Sequence, residues 1–326
     1  MTSGRSPAVS VRNLTKAYDG VRVLDGVSFD VERGSVVGLL GPNGAGKTTC
    51  IHSILGLVRP TAGSVRVAGI DVAENPRAAY EHVGATLEGA RNVYWRLTVR
   101  ENVEFFARLA GHDPAELRER HDRLLEGFGL ADRADELVND LSRGMKGKVA
   151  LACTLSRDVD VAFLDEPTLG LDVESSHELR RELRRLAERE SITVVVSSHD
   201  MDVIEDLCDR VVVLNDGRIV ADEDVEAFVS LFEGRTYRIA VEGRISESAK
   251  ARLVESFDAS EWSSVPDGTR FDVTLADGEL NAVLVELVAA GIPVRSIETT
   301  DPTLEDAFVA LVEDGETAGG TTEVSA

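Results

Sequence analysis

Residues 35–49 read SVVGLLGPNGAGKTT: an apolar, β-branched run that stops at a glycine and passes into a loop of small residues closed by a lysine and two threonines. A short continuous apolar run of this kind suits a strand buried on both faces of a parallel sheet. The pattern Gly41–Thr48, G-x4-G-K-T, supplies what a bound phosphate needs. Its glycines let backbone N–H groups curl around an anion, and a helix expected over 46–56 adds its positive N-terminal end. Lys47 brings a point charge to β- and γ-phosphates, and the Thr48 hydroxyl can ligate Mg²⁺.

Working outward, similar strand-like runs occur at 8–12, 21–31, 64–68, 161–164, 192–198 and 211–214. Helical patterns lie at 98–110, 114–127, 142–156, 174–190 and 201–208. This alternation predicts an α/β architecture with a largely parallel sheet. The stretch from about 75 to 157 is mostly helical between two sheet regions, so a helical lobe, placed at about 89–157, is expected as an insertion into a domain covering 8–225. From about 235 the grammar changes to strand, helix, strand, helix, strand, helix, beginning with TYRIAVEG. That predicts a small α+β domain over 235–313, its last helix capped by Asp301 with Pro302 at the first position. The small, polar tail 314–326 reads as disordered.

Among 326 residues the formal charge is −23, which opposes a nucleic-acid backbone as the main partner. Only five of the 35 basic residues are lysines. Such self-repulsion is screened at molar salt, so a high-salt cytoplasm is one reading and an acidic protein from a GC-rich genome is the other. No apolar run approaches the ~20 residues that span a bilayer. The N-terminus, MTSGRSPAVS, lacks the apolar core of a signal peptide. A cytosolic chain, held at a membrane only through a partner, is therefore expected. Cys50, Cys153 and Cys208 are widely spaced without a CxxC pair and read as buried thiols.

Three further stretches carry chemistry. VAFLDEPTLGLD (161–172) is an apolar strand ending in two carboxylates, where ligands bind in open α/β sheets. Of Asp165 and Glu166, one carboxylate can serve Mg²⁺ and the next can orient and polarise a water. His199 ends another apolar strand, ITVVVSSH, where an imidazole can bond a γ-phosphate oxygen or the attacking water. LSRGMKGK (141–148) holds a serine, two glycines and three basic side chains, equipment for a second phosphate.

The set GPNGAGKTT, LSRGM, FLDEPTLGLD and SSH, in this order, resembles the ATPase subunit of an ATP-binding cassette (ABC) transporter, and the likeness covers residues 8 to about 225. The RGM variant and the segment DPTLEDAF resemble the drug- and sodium-exporter ATPases, which also carry a small C-terminal domain. The resemblance implies ATP and Mg²⁺ as ligands. It assigns Tyr18 to adenine stacking, and Gly41, Pro42, Asn43, Gly44, Ala45, Gly46, Lys47, Thr48 and Thr49 to the phosphates. Thr48 and Asp165 become Mg²⁺ contacts, Glu166 the catalytic base and His199 the switch histidine. Leu171 and Asp172 match the loop that joins two subunits. Ser142, Gly144 and Met145 match the signature that closes on the ATP held by the other subunit.

Two positions depart from the family pattern. Glu88 stands where a glutamine is usual; a carboxylate there would ligate Mg²⁺ and repel a γ-phosphate. Gly147 stands where a glutamine commonly follows the signature. The implied partners are a second ATPase subunit, as a homodimer, and an integral membrane permease, with 88–110 as the docking surface if Tyr94 and Trp95 are not simply core. The permease would export drugs, ions or other small molecules. The alternative, a non-transport ABC ATPase acting on ribosomes or nucleic acid, is opposed by the single cassette, the lack of heptad arms and the negative charge.

Overall fold

A computed structural model describes residues 6–87, 93–230, 235–257, 259–265, 268–275, 279–300 and 303–319. The chain divides into two compact units, 1–225 and 226–326.

In the first unit the elements run β1 (Val9–Tyr18), β2 (Val21–Val31), β3 (Val36–Leu40), α1 (Lys47–Ile54), β4 (Ala62–Val67), β5 (Ile70–Asp71), α2 (Pro76–Glu81) and β6 (Val83–Thr86). There follow α3 (Val99–Leu109), α4 (Arg118–Gly127), α5 (Arg143–Thr154), β7 (Val161–Asp165), α6 (Val173–Glu190), β8 (Thr193–Ser197), α7 (Met201–Leu207), β9 (Arg210–Asn215) and β10 (Arg218–Asp224). Two sheets form. One is six-stranded, in the order β10-β9-β3-β8-β7-β6, parallel throughout except for the antiparallel edge strand β10. The other, β2-β1-β4-β5, is antiparallel.

The six-stranded sheet is the largely parallel one expected, and the antiparallel sheet stands beside it as an addition. The runs at 8–12, 21–31 and 64–68 belong to it. Their turn chemistry held the clue. Asp19 and Gly20 both take positive φ, 47° and 87°, directly after Tyr18, which pairs with Val21. Two successive left-handed residues close a tight antiparallel hairpin. β6 was also hidden, because its residues 83–86 lie inside the stretch read as helical; it forms the edge of the parallel sheet beside β7.

The parallel strands are fully buried: every residue of β3, β7 and β8 is. Val37, Leu39, Phe163 and Val195 join Ile51 and Ile54 of α1 in one core. The helical lobe has its own buried residues, among them Val99, Val103, Leu124, Leu125 and Val149. α3 starts with a capping box between Thr98 and Glu101. Asn102, fully buried, accepts from the Tyr94 N–H at 2.7 Å and donates to the Tyr94 and Thr98 carbonyls. It thereby satisfies the irregular segment leading into α3. No helix among the described residues is long and apolar enough to cross a membrane.

α8 (Val225–Ser230) begins at the division between the units. The second unit contains β11 (Arg235–Glu242), α9 (Glu247–Phe257), β12 (Ser260–Val265), β13 (Gly268–Leu275), α10 (Leu280–Ala289), β14 (Val294–Thr300) and α11 (Leu304–Gly319). Its antiparallel sheet runs β12-β13-β11-β14. Leu253, Val283 and Leu287 from the helices pack with Ile239, Val241, Phe271 and Val273 from the strands. β12 was not expected from SEWSSV, which is polar; it is held by Trp262, stacked on Phe271 with ring centroids 4.6 Å apart. α11 extends beyond residue 313, where the sequence reading ended the domain. Asp301 and Pro302 lie outside the described residues.

Candidate functional site

The parallel sheet delivers three loops to one edge. β3 ends at Leu40, β7 at Asp165 and β8 at Ser197, and the cross-strand pairs Leu39↔Ser197 and Asp165↔Ser197 bring these ends level. In open α/β sheets this carboxyl edge is where ligands bind.

After β3 the chain turns through Gly41–Gly46 into α1. Gly41, Gly44 and Gly46 take φ of 150°, 87° and 102°. A Cβ on Gly41 would collide with the Leu214 carbonyl, and one on Gly46 would lie 2.8 Å from the Val23 carbonyl. At Gly44 nothing lies within 4 Å of that position. The loop is thus wedged at both ends and open in the middle, a cradle of backbone N–H groups. The Lys47 ammonium donates to the carbonyls of Gly41 (2.6 Å) and Pro42 (3.2 Å), so it lies along the loop. Burial lowers its pKa, opposed by the Glu166 and Asp165 carboxylates. Those carboxylates therefore share one electrostatic neighbourhood with the phosphate-type loop.

Asp165 is buried and takes a hydrogen bond on Oδ1 from the Ser197 hydroxyl. Glu166 follows in the left-handed region, φ 51°, an uncommon conformation for a residue other than glycine. Its N–H donates to the Ser197 carbonyl at 2.9 Å. Its Oε1 lies 2.9 Å from His199 Nδ1, and its Oε2 accepts from Ser198 Oγ at 3.3 Å. The glutamate hydrogen bond raises the His199 pKa, with the carboxylate's charge adding to it. Among the described residues no three His, Cys, Asp or Glu side chains come together as a metal cage. One or two oxygen ligands beside phosphate oxygens is how Mg²⁺ is ordinarily held, so Thr48 and Asp165 fit that ion.

Tyr18 ends β1, exposed, with the Lys16 ammonium 4.5 Å from its ring centroid. Ser142 is the N-cap of α5 and accepts from the Met145 N–H at 3.2 Å. No hydrogen bond or ion pair links Ser142, Gly144 or Met145 to residues 41–49 among the described residues. Two of the cations of LSRGMKGK, Lys146 and Lys148, have polar partners inside the chain, and Arg143 lies against Gly170. A Cβ on Gly170 would come within 2.9 Å of Arg143 Nε, Lys146 donates to the Asn139 carbonyl at 2.9 Å, and Lys148 pairs with Glu178 at 2.8 Å. Leu171 packs on Gly144: a Cβ added there would lie 3.1 Å from it. Asp172 caps α6, accepting from the N–H and hydroxyl of Ser175. Those bonds hold its pKa down. Glu88 lies outside the described residues. The sequence reading overlooked Ser197 and Ser198, whose roles depend on strand register.

This arrangement is a phosphate-type loop on an α/β sheet, with Asp165, Glu166 and His199 at the same sheet edge. The ABC transporter family profile matches residues 24–169. The daunorubicin/doxorubicin resistance ATP-binding protein DrrA of Streptomyces peucetius is 32% identical, over 95% of this chain and 94% of its own length. The bacitracin transport ATP-binding protein BcrA of Bacillus licheniformis is also 32% identical, over 95% of this chain and 99% of its own length. A solved ATP-binding subunit of an ABC transporter superposes with a TM-score of 0.62 at 32% identity, covering 69% of this chain and 93% of that one. A dimeric ATP-binding cassette in a post-hydrolysis state with ADP and Pi superposes with 0.59 at 28% identity, covering 66% and 98%. The chain belongs to the ABC transporter family, as an ATP-binding subunit that hydrolyses ATP to power transport.

Proposed function

We propose that two copies of this subunit close on ATP, hydrolyse it, and thereby drive a separate integral membrane permease that exports drugs, ions or other small molecules. The carrying observation is the meeting of three loops at one sheet edge, where Glu166 and His199 are hydrogen-bonded beside the Gly41–Thr48 cradle. In the reaction, water attacks the γ-phosphorus and its proton passes to Glu166. A new P–O bond forms as the bond to the ADP oxygen breaks. Lys47 and the loop N–H groups neutralise phosphate charge, and His199 bonds a γ-phosphate oxygen. Thr48 and Asp165 would hold Mg²⁺, which supplies charge neutralisation at the phosphates. Tyr18 stacks on adenine, and Ser142, Gly144 and Met145 act on the nucleotide of the opposite subunit, with Asp172 at the joining loop.

The surface for the permease is argued from the helical lobe. Tyr94 and Trp95 are 51% and 54% exposed, which favours docking over a core role. A groove of about 390 Å³ opens alongside, lined by Arg77, Tyr80, Phe106, Leu109 and Arg157 among others. Exposed apolar groups rimmed by charges are the usual mark of a partner site. Through that partner the subunit would lie on the cytoplasmic face of the membrane. The cargo class rests on the names of the relatives, which include drug resistance and bacitracin transport proteins.

Glu166→Gln tests the reading. It should bind ATP normally while turnover falls on the order of 10²–10⁴-fold, the range for lost general-base catalysis. Near-parental steady-state ATPase would remove Glu166 from that role.

A further inference from the structure

We infer that Ser198 is a positioning residue for hydrolysis: its hydroxyl anchors Glu166 through Oε2 and so leaves Oε1 as the oxygen that receives the proton of water. The inference rests on the proposed role of Glu166 as base.

The two neighbours of that carboxylate differ in freedom. The side chain of His199 is 65% exposed, whereas Ser198 is 1% exposed. His199 can therefore turn away from Oε1 toward a bound phosphate with little repacking. Ser198 has no such freedom, and its hydrogen bonding explains why. The Asp200 N–H donates to Ser198 Oγ at 3.1 Å, and Oγ lies 3.3 Å from Glu166 Oε2. A hydroxyl has a single proton. Ionised Glu166 is acceptor-only, so that proton is committed to Oε2 while a lone pair receives Asp200.

The Asp200 bond orients the hydroxyl, and the parallel pairing of β7 with β8 sets its distance from Glu166. Ser197 treats Asp165 in the same way one residue earlier, so the serine pair reads both carboxylates across the strand boundary. Glu166 enters this clamp from a left-handed backbone whose N–H is tied to the Ser197 carbonyl, and the printed bonds to its carboxylate come from His199 and Ser198. With only the exposed histidine to hold it, the carboxylate would lose its direction when the histidine moves to the nucleotide.

Ser198→Ala in the full chain should lower kcat ~10- to 100-fold, the loss expected when a hydrogen bond to a charged group is removed. The KM for ATP should stay within about twofold, because no phosphate contact is lost. Ser198→Thr, which keeps the hydroxyl, should recover most of the rate. In a Glu166→Gln background the alanine change should have no further effect on residual turnover, since the two residues act as one unit. Should the alanine variant fail to fold, Ser198→Cys keeps the shape with a poorer donor and carries the same expectation at smaller amplitude. Unchanged kcat in the alanine (or cysteine) variant overturns the inference, as does an equal loss with Glu166→Gln already present. Loss of turnover in Glu166→Gln alone, with Ser198→Ala fully active, sinks the serine only. Full activity of Glu166→Gln removes the base itself.

Discussion

His199 Nδ1 lies 2.9 Å from Glu166 Oε1, two side chains brought together from the ends of adjacent parallel strands 33 positions apart in sequence. The pairing has an electrostatic signature. An imidazolium beside a carboxylate is favoured over a neutral ring, so the pKa of His199 is raised above its ordinary value of 6.5. A raised folded-state pKa contributes stability that is fully present below the unfolded value. It is lost as pH rises through the folded one. In nucleotide-free protein, an NMR titration should therefore find His199 with a midpoint above 6.5, and Glu166→Gln should bring that midpoint back down. An unchanged midpoint in the variant would mean that the pair does not persist in solution.

The phosphate loop allows a paired test of geometry. Gly41→Ala drives a Cβ into the Leu214 carbonyl, a backbone atom that cannot move aside without shifting β9. Gly44→Ala meets no atom within 4 Å but must hold an alanine at φ 87°. The second change should cost about 1–3 kcal/mol of strain. The first should cost more, lowering the melting temperature further and abolishing nucleotide binding. Equal melting temperatures for the two variants would contradict this packing of the loop on β9.

The charge of −23, with five lysines among 35 basic residues, makes a separate prediction. If the surface is adapted to high salt, the melting temperature should rise as KCl goes from ~0.1 M to above ~1 M, where the screening length shrinks to about 3 Å. A flat or falling trend would leave the GC-rich explanation of the composition. Differential scanning fluorimetry across a KCl series decides between them.

Much of the site was legible because its chemistry is local. GPNGAGKT carries its glycines, lysine and threonine in one loop, and the DE and SSH endings follow apolar runs that could only be buried strands. What escaped depended on pairing between distant segments. β1, β2 and β4 look like parallel-sheet strands one at a time, and only the hairpin at Asp19–Gly20 reveals an antiparallel sheet. β6 has four residues, too few to establish a period of two. Ser198 reads as ordinary strand-end polarity until register sets it beside Glu166. The partners of Lys146 and Lys148 were equally hidden, because one is the backbone carbonyl of Asn139 and the other is Glu178 on a separate helix.

Ser142 caps α5 in its own chain and is proposed to serve the other subunit's ATP. Removing the serine confounds these roles, because losing an N-cap costs about 0.5–2 kcal/mol by itself. Aspartate separates them. It caps a helix as well as serine, accepting from the Met145 N–H, yet it sets a carboxylate where a γ-phosphate should approach. Ser142→Asp should therefore melt close to the parent and bind ATP as a monomer. Glu166→Gln should accumulate an ATP-bound dimer on sizing, since hydrolysis no longer separates the subunits. Combining the two changes should abolish that dimer. Arginine at the same position should fail in both respects, weakening the cap and filling the phosphate space. If Ser142→Asp with Glu166→Gln elutes as a dimer as readily as Glu166→Gln alone, Ser142 is a helix cap and nothing more.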